Sequence, residues 1–83
     1  MGIIQEEYNS VCVLGNRGKK FEIRFCPMAL EAPWSIQSRG QGYYFQTLRE
    51  VLAFASGRSW IGNYEIKRYQ EEIMAALDRK WNE

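Results

Sequence analysis

Eighty-three residues, 46% of them hydrophobic and 14% aromatic, make one domain (1–83) near the size at which a single core is just sufficient. That composition excludes a disordered chain, and no apolar window is long enough to span a membrane. The formal charge is only +1, and the chain has no histidine, so the usual general base near neutral pH and the commonest metal ligand are both missing.

In chain order, the start "MGIIQEEYNS" combines a short apolar pair with two acids, which is not the pattern of a signal peptide and sets a cytoplasmic address as the expectation. The next stretch, "SVCVLGNRGKKFEIRFC", reads as a hairpin, with Val11 and Val13 alternating on one strand and Phe21, Ile23 and Phe25 on the other. Bringing both sets to one face puts Val13 opposite Phe21 and Val11 opposite Ile23. Asn16-Arg17-Gly18 is then a three-residue loop in which Gly18 supplies the left-handed residue. In that register Cys12 faces Glu22 and Cys26 faces Tyr8. At about 3.4 Å per residue the sulfurs are too far apart to bond, so both are expected as thiols.

"PMALEAP" lies between Pro27 and Pro33 and is a connection rather than a strand. "WSIQS" alternates again, and "RGQG" turns the chain into "YYF". Setting Ile36 opposite Phe45 places Trp34, Ile36, Tyr43 and Phe45 on the core face and Tyr44 outside, but three consecutive aromatics leave that parity open, since a slip of one residue exchanges Tyr44 with its neighbours. Thr47-Leu-Arg-Glu50 has the form of a capping box, after which Leu48, Val51, Leu52 and Ala55 make a helical stripe that stops at Gly57. A second helix is expected from about Asn63, with Ile66, Tyr69, Ile73, Leu77 and Trp81 as its stripe and Met74 alongside. Lys67/Glu71 and Arg68/Glu72 would pair along its solvated side. The assembled expectation is an α+β two-layer sandwich of order β-β-β-β-α-α, an antiparallel sheet of three to four strands with both helices on one face.

Charge is unevenly spread. Residues 17–58 carry seven basic side chains against three acidic ones, a net +4 in an almost neutral chain, which hints at an anionic partner. Neither "GNRG" nor "RGQG" leads from a strand into a helix, so hairpin turns explain their glycines better than a phosphate loop does. The adjacent carboxylates Glu6/Glu7 and Glu71/Glu72 diverge on a strand or helix rather than flank a bond. No catalytic residue, cofactor site or metal site is therefore assigned.

Two surfaces remain as candidates. The sheet face away from the helices would display Glu22, Arg24, Ser35, Gln37 and Tyr44, with Arg39 and Lys19-Lys20 at its rim. The strands that run into a helix at "YYFQTLREVLAFA" resemble the plant ethylene-response-type DNA-binding domain and the arm-binding domains of tyrosine integrases. That resemblance covers about half the chain and implies nucleic-acid binding by the sheet face; the acidic second helix departs from it. The other candidate is the inter-helix link, where Trp60 and Ile61 stand beside Arg58, off both stripes. Trp and Arg are typical anchors of protein interfaces, and the alternative for Trp60 is that it folds back to plug the gap between helices and sheet.

The leading expectation is a non-enzymatic protein that binds a macromolecular partner stoichiometrically. The favoured partner is a protein, contacted through Trp60, Ile61, Arg58, Arg24, Arg39 and Tyr44. Size and lack of motif suggest the small inhibitors and regulators made by phages and mobile elements. The alternative is a nucleic-acid-binding module, and a third reading is a minor enzyme or small-ligand carrier with a cleft between sheet and helices.

Overall fold

The computed structural model describes the backbone of residues 2–6 and 9–81 and the side chains of 2–3 and 9–78. An antiparallel sheet of β1 (Gly2–Glu6), β2 (Ser10–Leu14), β3 (Lys20–Phe25), β4 (Trp34–Ser38) and β5 (Gln41–Phe45) is followed by α1 (Leu48–Gly57) and α2 (Ile66–Trp81). Short 3-10 turns occupy Asn16–Gly18 and Asn63–Glu65. The strands lie in chain order, so each neighbours its sequence neighbour and the sheet is a simple meander. The class is α+β, with five strands where three to four were expected. β1 escaped the sequence pattern for a physical reason. Its register with β2 slips between Ile3 and Gln5, and such an irregularity destroys the alternation by which a strand is recognised.

The β2–β3 pairing has the expected register, Val13 to Phe21, Val11 to Ile23 and Cys12 to Glu22. Cys12 and Cys26 are both thiols, and the Cys12 Sγ lies 3.9 Å from the Glu22 carboxylate. The pairing of Cys26 with Tyr8 falls outside the described residues. The β4–β5 register needs correction: Ile36 pairs with Tyr43 and Trp34 with Phe45, two residues from the expected alignment. The cause is the turn. Arg39 and Gly40 both have left-handed φ (51° and 80°), which closes a tight two-residue loop on Ser38 and Gln41 instead of a four-residue one. A slip of two preserves the faces, so Tyr43 and Phe45 still pack toward the core and Tyr44 stays outside.

One core cluster lies between the sheet and the helices. Val11, Val13, Phe21, Ile23, Trp34 and Ile36 from the sheet meet Leu48, Val51, Leu52 and Ala55 of α1 and Tyr69, Ile73, Ala76 and Leu77 of α2. Met74 is exposed, so Ala76 takes the place beside the α2 stripe that Met74 was expected to hold; the side chain of Trp81 lies outside the described residues. Thr47 is the N-cap of α1, its Oγ1 accepting from the Glu50 amide at 3.2 Å and donating to the Glu50 carboxylate at 3.2 Å. Arg68 reaches Glu65 at 3.2 Å and Glu72 at 3.9 Å. Among the described residues no helix is long and apolar enough to cross a membrane.

Two stability predictions follow from this packing. Thr47→Ala should cost about 1 kcal/mol through loss of the cap, and Leu52→Ala about 2–5 kcal/mol through burial and cavity terms, both read from urea melts. Tyr69 is fully buried, and its hydroxyl has no hydrogen-bond partner among the described residues. Burial pushes its phenol above the usual value of 10.0 and Glu65 adds to the shift, while Arg68 opposes it. The folded state therefore disfavours phenolate. The stability Tyr69 contributes is intact below pH 10.0 and is lost as pH rises through the folded-state value. Tyr69→Phe should flatten the alkaline fall in melting temperature and leave stability at pH 7 unchanged or higher by about 1 kcal/mol, because an unsatisfied buried hydroxyl is removed.

Candidate functional site: a cationic, aromatic cleft at the turn end of the sheet

Three loops meet at one end of the sheet: the β2–β3 turn, the β4–β5 turn and the link after α1. The link returns to the sheet through a left-handed helix stop. Trp60 N–H donates to Ala55 C=O at 2.9 Å and Ser59 N–H to Ser56 C=O at 2.9 Å, with Ser59 at φ 64°. This is the paired hydrogen-bond pattern that ordinarily carries glycine in the left-handed position. The expected stop at Gly57 is thus displaced: Gly57 is the last helical residue, and Ser59 makes the reversal.

The reversal lays the link against the β2–β3 turn. Asn16 N–H donates to Trp60 C=O at 2.6 Å, and the Asn16 side-chain amide donates to Ser59 C=O at 3.3 Å. The approach is so close that a Cβ on Gly15 would stand 2.2 Å from the Trp60 oxygen. The Trp60 ring then packs on Phe21 (5.5 Å between centroids) and edge-on to Phe54 (5.7 Å), with Lys19 Nζ 4.6 Å over it. Phe54 in turn stacks with Tyr43 at 4.6 Å, and the Arg58 guanidinium lies 4.8 Å over Phe54 and 5.4 Å over Tyr43.

The result is a cleft of about 280 Å³ lined by Lys19, Ser38, Arg39, Gln41, Tyr43, Arg58 and Trp60. Its charges are all positive. The segments that build this end (residues 14–20, 38–41 and 57–61) contain Arg17, Lys19, Lys20, Arg39 and Arg58 and no acidic residue. None of these five cations has a carboxylate within ion-pair distance among the described residues. A larger, shallow hollow of about 550 Å³ on the helix side of the link has an uncharged lining that includes Asn16, Ser59 and Asn63. Local backbone strain is concentrated here as well. Arg17, Arg39 and Ser59 are the non-glycine residues with positive φ among the described residues, and one lies in each of the three loops.

The structure thus brings together Trp60, Arg58 and Arg39 of the sequence-derived site and separates the rest. Ile61 is 2% exposed and belongs to the core, so its side chain is not a surface contact. Its neighbour Trp60 is half-buried, because the link turns one side chain inward and leaves the other at the rim. Arg24 lies on the outer sheet face, ion-paired with Glu22, and Tyr44 is exposed on that same face. Ser35, expected on display there, is buried between its register neighbours Arg24 and Tyr44. Among the described residues, no group of three or more His, Cys, Asp or Glu could hold a metal ion. No family model, curated protein or solved structure matches the chain.

Trp60→Ala should cost about 2–4 kcal/mol in a urea melt, somewhat less than a fully buried aromatic, since part of the ring already meets solvent. Gly15→Ala should cost about 3 kcal/mol or more, because the obstacle is backbone and cannot rotate away. Ser59→Gly should instead add roughly 0.5–1 kcal/mol by relieving the left-handed serine.

Proposed function

We propose that the protein is a non-enzymatic binding module that engages an acidic surface of a partner protein, one to one, through the cationic cleft. The observation that carries this reading is the convergence of Lys19, Arg39 and Arg58 on Trp60 and Tyr43 in a cleft without a carboxylate. Cations that share a site repel one another, and an incoming anion relieves that repulsion while gaining each attraction. The aromatic faces give the same cleft an apolar floor. A half-buried Trp flanked by Arg and Lys has the composition of an interface anchor with a charged rim.

Backbone strain supports the same reading. A left-handed arginine costs about 1 kcal/mol relative to glycine, and such outliers gather at functional sites. Two of the three at this end are arginines, the residue best suited to forked bonding with carboxylates. A second reading, nucleic-acid binding, draws support from a neighbouring hollow on the outer face. Lys20 and Arg39 line it beside Gln37 and the Glu22 carboxylate, so two cations against one acid extend the positive charge of the rim. Arg24 contributes less to that reading than the sequence suggested, since Glu22 neutralises it.

Titration with a fluorescent poly-glutamate peptide, beside single- and double-stranded oligonucleotides, tests the choice. The peptide should bind with an affinity that falls as salt rises. Arg39→Gly combined with Arg58→Ala should weaken it about tenfold or more, and Arg24→Ala should leave it unchanged. Arg39→Gly alone should raise thermal stability while lowering affinity, which separates a functional arginine from a structural one. Tight, salt-steep retention of oligonucleotides with no response to the peptide would transfer the cleft to the nucleic-acid reading. Indifference to both would remove the cleft as a site for anions.

A further inference from the structure

The sheet is open, with β1 and β5 at its edges. An edge strand presents a row of unpaired amides and carbonyls, and folded proteins ordinarily blunt that row with a charge, a proline or a bulge. β1 is blunted by its break in register between Ile3 and Gln5. β5 has no such device. It reads Gln41-Gly42-Tyr43-Tyr44-Phe45, with no charge and no proline, and pairs with β4 without irregularity along its whole length.

The turn decides which groups are left over. A two-residue loop closes with Ser38 and Gln41 as a hydrogen-bonded pair, so alternation directs Tyr43 and Phe45 to β4 as well. The N–H and C=O groups of Gly42 and Tyr44 therefore point away from the sheet.

We infer that β5 is a self-association edge, through which two copies of the chain pair antiparallel about a two-fold axis at Tyr43. With Tyr43 opposite the second copy's Tyr43, Gly42 lies opposite the second copy's Tyr44. Each such pair exchanges both of its backbone hydrogen bonds, and every outward-facing group of the two residues is satisfied. The side chains match this register. Tyr44 is 67% exposed on the outer face, while Gly42, on that same face, leaves a gap with only the Gln37 side chain near a built Cβ, at 3.4 Å. A tyrosine ring lying across a strand from an edge glycine fills such a gap.

Charge also selects the antiparallel arrangement. β5 begins at the cationic Arg39 turn and ends at the α1 cap, where Arg49 and Glu50 balance. The two-fold sets each cationic turn beside the other copy's neutral cap, whereas parallel pairing would set Arg39 beside Arg39. Arg58, 5.4 Å over Tyr43, approaches its own copy at the axis, so the association should strengthen as salt rises. The symmetry is the isologous kind that closes at two copies and leaves no free β5 edge. The inference rests on the backbone of the strand edge, and because Gln41 and Tyr43 also line the cationic cleft it sets the two clefts side by side across the axis.

Two five-residue strands bury less than the roughly 1,200 Å² of a standard interface, so the dimer is weak and reversible. Sedimentation of the full chain from about 10 μM to about 1 mM should show the mass rising from one copy toward two across that range. Gly42→Pro removes an outward N–H without touching the β4 ladder, and Tyr44→Lys places like charges on both sides of the axis. Each should raise the dissociation constant about tenfold or more while the melting temperature of the dilute protein stays near wild type. If Gly42→Pro perturbs folding, Tyr44→Lys alone decides. A wild type that stays monomeric at the highest concentration would overturn the inference and leave the edge to an extended peptide of another protein. Dimers that survive both substitutions undiminished would overturn it too.

Discussion

The backbone hydrogen bond from Asn16 to the Trp60 carbonyl is the seam on which the cationic end of the molecule depends. Glycine at position 15 makes it accessible, because any Cβ there would collide with the Trp60 oxygen. The left-handed reversal at Ser59 supplies the other half, returning the chain from α1 to the sheet within a few residues. Once those two conditions hold, Ile61 drops into the core and Trp60 is held against Phe21 and Phe54. Arg58 and Lys19 are then stacked on aromatic faces, which orients their charges and shields their stems.

Stability and recognition pull in different directions at this end. Five cations in three loops repel one another, and two of the left-handed positions hold arginine where glycine or asparagine would relax the backbone. The rest of the domain offsets this cost with a well-covered sheet face, a cap in which the Thr47 hydroxyl accepts from the Glu50 amide, and a buried Glu65 whose carboxylate accepts from the Gly62 amide at 3.0 Å and from Arg68. A small domain has little stability to spare, and the strain in the three loops of this end draws on it.

The open sheet gives the molecule a second character. A meander of five strands ends in two edges, and only one of them is interrupted. The regular, uncharged β5 lies beside the cationic cleft, since Gln41 and Tyr43 belong to both. A dimer formed there would carry two clefts on one joined sheet, and binding of a repeated or extended acidic surface would then benefit from avidity without a new contact.

The sequence by itself determined the local features: the β2–β3 register, the Thr47 cap and the α1 stripe. Each of these depends on interactions between residues close in the chain, where alternation, helical spacing and turn chemistry leave one consistent solution. Which of the three consecutive aromatics Tyr43, Tyr44 and Phe45 face the core was left to the structure. β1 was not legible because its bulge breaks the alternation, and the β4–β5 alignment slipped because glycine follows arginine, not asparagine, in the turn. Only the tertiary structure decided the site. Lys19, Arg39 and Arg58 are separated along the chain and belong to no shared motif. They meet because the sheet sets two turns side by side and a left-handed serine brings the helix end back to them. The same distance in sequence hid the separate fates of Trp60 and Ile61. Neighbours in a link share no periodicity, and which one faces inward is set by where the backbone docks.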